Sequence, residues 1–159
     1  MKTLKNTSVI TLLLILTATS CHHETVTQKN CEGDNTTVLK TFYSEEFSSV
    51  PCNLQNIESG NKEVNLVITK QEDLEKYFTC HEQLPKIDFD AYFILAGRYT
   101  HNNCAVFASQ QVLICNNRII YKVRMLRQDC TAITSVFYAT VIEKKYNTLP
   151  VDFDVQFKN

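Results

Sequence analysis

Residues Val151 to Phe157 read VDFDVQF, and Ala132 to Ile142 read AITSVFYATVI. The first alternates: Val151, Phe153, Val155 and Phe157 share one side of an extended chain, and Asp152, Asp154 and Gln156 share the other. A period of two with one apolar side marks a strand whose sheet has one wet face. The second is apolar on both sides, through Ile133, Phe137 and Val141 on one and Val136, Tyr138 and Ile142 on the other. It predicts a central strand covered on both faces.

Upstream of these, Ala91 to Tyr99, Cys104 to Ile114 and Arg118 to Arg127 are also strand-like, rich in Val, Ile, Tyr and Phe. Val38 to Tyr43 and Val64 to Thr69 predict two earlier strands, the latter after a turn at Ser59-Gly60-Asn61. The period changes only at Thr69. Thr69 and Glu72 have capping-box spacing, and Leu74, Tyr77 and Phe78 make one apolar face of a short helix expected to lie on the sheet. Connections of about three to eight residues are too short for parallel crossovers. The expected fold is therefore α+β: a mainly antiparallel β-sheet of about six to seven strands with one short helix, braced by disulfides.

The N-terminus has the physics of an export signal. Lys2 and Lys5 precede the apolar run Val9 to Leu16, and Ala18-Thr19-Ser20 supply small residues ahead of Cys21. The run is too short to span a bilayer, which takes about 20 apolar residues. Ala18 to Cys21 resembles a bacterial lipoprotein signal, with Ala18 where Leu is usual. An ordinary secretory peptidase would also cut before Cys21, but would leave an odd number of cysteines in an oxidising space. Lipidation of Cys21 leaves an even set, and parity favours it. The expected organisation is a signal peptide over 1–20, a polar tether over 21–37 and a single domain over 38–159.

Removing the leader leaves about 140 residues, a size that supports one continuous core. The leader contains two lysines and no acid, so the mature chain is more acidic than the formal −1 of the whole. Nothing in that balance attracts nucleic acid or an anionic membrane surface. The membrane contact expected is through the lipid on Cys21.

Strand pairing restricts how Cys31, Cys52, Cys80, Cys104, Cys115 and Cys130 join. A turn at Asn116-Asn117, with opposed positions summing to about 234, sets Cys104 near Cys130. Cys104 and Cys115 cannot bond along one strand, because eleven extended residues span about 36 Å against the ~5.5 Å between bridged Cα atoms. A second turn at His101-Asn102 would carry Cys115 back towards Asp88 and hence to Cys80. The expected bridges are Cys104 to Cys130, Cys80 to Cys115 and, by remainder, Cys31 to Cys52.

Motifs for catalysis are wanting. There is no G-x-S-x-G elbow and no H-E-x-x-H, and Gly33, Gly60 and Gly97 cannot form a phosphate-cradling loop. Cys80-His81, His101-x-x-Cys104 and His22-His23 place metal ligands close together, but an oxidising compartment favours disulfides over thiolates. No cofactor and no metal are expected. Asp88 with Asp90, or Asp152 with Asp154, could flank a glycosidic bond, though both patterns also suit the solvated face of a strand. Arg98 interrupts an apolar strand, with Tyr99, His101 and Asn102 beyond it. It is either a contact for an anion or peptide at a loop rim, or an Arg laid over a sheet edge with its head in water.

Leu84-Pro85-Lys86-Ile87-Asp88-Phe89-Asp90 with the strand Ala91 to Gly97, and Ser135-Val136-Phe137-Tyr138 leading to Val141-Ile142-Glu143-Lys144, resemble the C-terminal domain of the PrcB family of bacterial exported lipoproteins, named for a subunit of a surface protease complex. Thr100-His101-Asn102-Asn103-Cys104 stands where that family often has a glycine-containing turn. The resemblance implies an accessory role beside other proteins and carries over no catalytic residue. The function expected is that of a membrane-tethered, non-enzymatic binding or accessory domain in the bacterial cell envelope, with an unidentified protein partner. A secreted protease inhibitor and a hydrolase with an unrecognised site are the alternatives.

Overall fold

The computed structural model describes residues 36–49, 52–57, 60–80 and 86–158. The leader, Cys21, His22-His23, Cys31, most of the tether, His81 and Leu84-Pro85 lie outside them. The elements run β1 (Thr36–Val38), α1 (Ser44–Ser49), β2 (Cys52–Leu54), β3 (Glu63–Ile68), α2 (Gln71–Tyr77), β4 (Phe78–Cys80), β5 (Tyr92–His101), β6 (Ala105–Cys115), β7 (Arg118–Arg127), β8 (Thr134–Glu143), a 3-10 turn (Lys144–Tyr146) and β9 (Val151–Lys158). The protein is mainly antiparallel β with short helices and disulfides.

Among the described residues the strands form two sheets and a ribbon: β1-β6-β7-β9, β3-β5-β8, and β2 with β4. The two sheets face each other across one core. Phe93, Leu95, Val136, Tyr138 and Ile142 meet Val112, Ile119, Tyr121, Val123 and Met125, and Val151, Phe153, Val155 and Phe157 of β9 close the side. Side chains alternate along a strand, so β5 and β8 also present Ile94, Ala96, Ala139 and Val141 to the opposite face. There Phe47 of α1, Leu74 of α2, Leu54 and Phe78 of the ribbon, and Ile87 cover them. The result is a three-layer packing in which the sheet β3-β5-β8 is apolar on both sides.

The β6–β7 hairpin turns at Asn116 and Asn117, both at positive φ (50° and 59°), the conformation a tight two-residue hairpin demands and Asn tolerates. A bulge between Phe107 and Ser109 shifts the register by one, so that Ala105 opposes Arg127. The polar side of β9 meets β7: Arg118 donates to both carboxylate oxygens of Asp152, and Arg124 lies 3.6 Å from Asp154.

Several expectations are corrected. The strand over Ala132 to Ile142 is covered on both faces but is not central; it lies at the end of its sheet, beyond β5. What shields it is α1 and the preceding turn: Phe42 bridges Val141, and Ser44 Oγ bonds Thr140 Oγ1 at 2.9 Å. Ile133 falls outside the strand and is 71 % exposed. The region read as a strand over Val38 to Tyr43 ends at Val38 and leads into α1, whereas β1 begins at Thr36, inside the stretch read as tether. No capping box forms: Lys70 is the N-cap of α2, with no side-chain cap bond. Strand β9 runs parallel to β7, because the chain crosses through the other sheet by way of β8, a crossover long enough that connection lengths between neighbouring runs did not reveal it.

The bridges differ as well. Cys52 and Cys80 oppose each other directly in the β2–β4 ribbon and are joined, with Cα atoms 4.1 Å apart. That excludes both Cys31 to Cys52 and Cys80 to Cys115. Strands β5 and β6 do not form a hairpin: they belong to different sheets, so Cys115 lies beside Thr36 and Arg118 instead of near Asp88. Cys115 is disulfide-bonded to a partner outside the described residues. Cys104 and Cys130 are joined, with Cα atoms 5.4 Å apart.

Candidate contact surface

The chain leaves one sheet and enters the other at His101–Cys104, and several side chains fix this corner. The Asn103 N–H donates to His101 Nδ1 at 3.1 Å. Thr134 Oγ1 donates to the Asn103 carbonyl at 3.1 Å and accepts from the Ala105 N–H at 2.9 Å. The bridge to Cys130 then holds Cys104, whose carbonyl also accepts from the Gln128 N–H at 2.9 Å. Asn102 and Asn103 remain exposed at the tip.

The residues expected to form one contact surface are split between two faces. Tyr99 and His101 share the face of Phe93 and Leu95. Their rings pack on Phe157 at centroid separations of 4.9 and 4.6 Å, and Arg127 lies 5.9 Å from the same Phe157 ring. Arg98 and Asn102 belong to the other side, where a cleft of about 380 Å³ is lined by Gly60, Asn61, Lys62, Arg98, Thr100 and Asn102. The corner therefore gives an aromatic patch on one side and a basic cleft on the other.

The cleft is built by the loop before β3. Gly60 adopts φ 117°, a conformation an L side chain rarely takes. The Thr100 N–H donates to the Lys62 carbonyl at 2.7 Å, tying the loop to β5. On the other flank Thr100 Oγ1 and Ser135 Oγ are 2.9 Å apart. Lys62 lines the cleft while its ammonium sits 5.3 Å from the Tyr99 ring, so it spans the edge between the two faces. Arg98 Nε is buried and has no hydrogen-bond partner. The sequence marks Gly60 and Asn61 as a turn. Their place beside Arg98 follows from the register Val64 to Arg98, which no local pattern encodes.

The acidic pairs weighed as hydrolytic have structural partners. Asp88 Oδ1 accepts from the Asp90 N–H at 2.9 Å, an Asx turn leading into β5. The hydrogen bonds from Arg118 hold the Asp152 carboxyl below its ordinary range. Cys80 and Cys104, the thiols of the two Cys-His spacings, are both in disulfides. Among the described residues no three His, Cys, Asp or Glu side chains group closely enough to hold a metal ion.

Deeper in the core, burial pushes the phenols of Tyr121 and Tyr138 above their ordinary value. Both hydroxyls have partners: Tyr138 donates to Asn65 Oδ1 at 2.8 Å, and Tyr121 donates to Gln110, whose amide donates in turn to the Ala139 carbonyl at 3.1 Å. Of these, the bond from Gln110 to Ala139 links the two sheets. No family model, curated protein or solved structure matches the chain.

Proposed function

We propose that this protein is an exported, lipid-anchored, non-enzymatic binding or accessory domain of the bacterial cell envelope, meeting a protein partner through the rim Arg98 to Asn103. The observation that carries this reading is the pinned corner. Asn102 and Asn103 are exposed, yet the backbone around them is fixed by a disulfide and by His101 and Thr134. A loop already ordered in the free protein loses little entropy on binding, which favours recognition.

The leader, Cys21 and the polar stretch after it support tethering, and the bridges suit an oxidising space. The stretches that resemble PrcB lipoproteins fall largely on β5 and β8, which pair along their whole length; that resemblance supports an accessory role within this proposal. The same pinned loop would serve a protease inhibitor, which is the second reading.

A photo-crosslinking residue at position 102, in the native envelope, tests the proposal. It should yield one defined protein adduct, absent when the probe is moved to Val67 in β3. An adduct with a protease, together with its inhibition by the pure protein, would favour the second reading. Turnover of peptide or glycan libraries by the pure protein would sink both.

A further inference from the structure

We propose that β9 is a self-association edge: two copies of this chain pair their β9 strands antiparallel, and the sheet β1-β6-β7-β9 runs on through a two-fold axis at Val155. Strand β9 ends its sheet and pairs only with β7. The Ile119 N–H donates to the Pro150 carbonyl at 2.8 Å, which sets the parity of the parallel ladder. The backbone groups of Asp152, Asp154 and Gln156 therefore face β7, and those of Val151, Phe153, Val155 and Phe157 face away. Among the described residues no backbone group bonds this outward row. Such a row of donors and acceptors is a template for another strand.

The other edges of the two sheets are blunted. Strand β1 has three residues, and β8 is bridged by Phe42 at Val141. Strand β3 packs Val64, Leu66 and Ile68 to one side, so Glu63 and Asn65 put polar groups on the side that faces the other sheet. Strand β9 has none of these devices. It is eight residues long, contains no Pro and follows β7 without a bulge. On its inner side stand only Val151, Phe153, Val155 and Phe157. All four are half-buried, which leaves apolar surface for a neighbouring strand to cover.

The outer side selects a second copy. Asp152 and Asp154 lie toward one end of the strand and Lys158 at the other. With Val155 opposite itself, Asp152 meets Lys158 of the second copy, Asp154 meets Gln156 and Phe153 meets Phe157. Opposite charges and aromatic rings directly across an antiparallel pair are favourable. In this register the outward groups of Phe153, Val155 and Phe157 also fall in hydrogen-bonded pairs. The nearest registers that keep those bonds are worse: one sets Asp154 against itself, and the other shortens the paired run. The two-fold axis makes every contact occur twice.

Amide hydrogen exchange of the ¹⁵N-labelled mature protein tests the pairing. Between about 10 µM and about 1 mM protein, exchange at Phe153, Val155 and Phe157 should slow about fivefold or more, while Asp154 and Gln156, already bonded to β7, should not change. Lys158→Glu should weaken the association about tenfold, and so should Asp152→Lys, because each sets like charges across the axis. An equal mixture of the two variants restores both opposite pairs, and the slow exchange should return. Fast exchange of the three amides at both concentrations would overturn the proposal. Slow exchange at both would do the same, since the edge would then not be free. A mixture no slower than either variant would overturn the two-fold register. Slowing brought only by envelope extract would replace the second copy with a foreign strand and likewise defeat the proposal. The wild-type measurement decides the matter even if Asp152→Lys fails to fold.

Discussion

Gly97 and Tyr138 face each other across β5 and β8, and the Tyr138 ring occupies the space a Cβ at residue 97 would need. The phenol crosses β5 at its one side-chain-free position to reach Asn65 on β3, the other neighbour of Gly97. A single ring thereby clamps all three strands of that sheet. Gly97→Ala should push the ring out of place and cost about 1–3 kcal/mol, the range for overpacking a filled core. Urea unfolding would measure it. In a Tyr138→Ala background the same substitution should cost much less, because the overlap is gone; additive losses would refute the clamp.

Alkaline stability follows from the same core. Burial holds the phenols of Tyr138 and Tyr121 protonated above the ordinary value of 10.0. Above pH 10 the unfolded chain has released these protons and the folded chain has not, so the unfolded state is favoured progressively as pH rises. The stabilisation is complete below pH 10 and falls away above it. Urea midpoints at pH 8, 10 and 11 should decline, and the decline should be shallower in Tyr138→Phe, which has one fewer buried phenol. An unchanged slope in that variant would remove Tyr138 from the account.

At the acid end, Arg118 holds the Asp152 carboxyl below its ordinary 3.8 through hydrogen bonds. A depressed carboxyl stabilises the fold above its unfolded value, and that contribution is lost as pH falls through the folded one. The pair is well exposed, so the effect is small: Asp152→Asn should cost less than about 1 kcal/mol at pH 7. The cost should shrink as pH falls through the lowered folded value. A loss at pH 7 several times larger would mean that Asp152 supports the β7–β9 pairing in some further way.

How far the sequence discloses this fold depends on the range of each interaction. The alternation of β9 and the apolar runs of β5, β7 and β8 are local and therefore legible. So is the hairpin at Asn116-Asn117, because a two-residue turn brings its own register. The corner at His101–Cys104 is different: a short connection between two strands can close a hairpin or move the chain to another sheet, and only tertiary contacts choose. Thr134, far along the chain, bonds both sides of this corner. From that one ambiguity came the misplaced partner of Cys115. The cleft was half legible: Arg98 stood out as a charge in an apolar strand, but Lys62 reaches it through the β3–β5 register.

Cys52 with Cys80, and Cys104 with Cys130, use four cysteines, and Cys115 is bonded outside the described residues. Only Cys21 and Cys31 remain in the sequence. Cys115 pairs with Thr36 in the β1–β6 ladder, and Cys31 precedes Thr36 by a stretch whose reach is about 17 Å at most. If Cys21 carries lipid its sulfur is already used, so Cys31 is the expected partner. Non-reducing peptide mapping of the detergent-extracted protein should recover Cys31 linked to Cys115, with a lipid-modified peptide beginning at Cys21. The bridge would close a loop of about 84 residues, worth roughly 4 to 5 kcal/mol in the chain-entropy model. Cys31→Ala with Cys115→Ala should therefore lower the melting temperature by roughly 10 to 20 °C while leaving the detergent partitioning of the protein unchanged. Recovery of Cys21 joined to Cys115 would defeat both the bridge and the lipid anchor in one measurement, since the same sulfur cannot serve both.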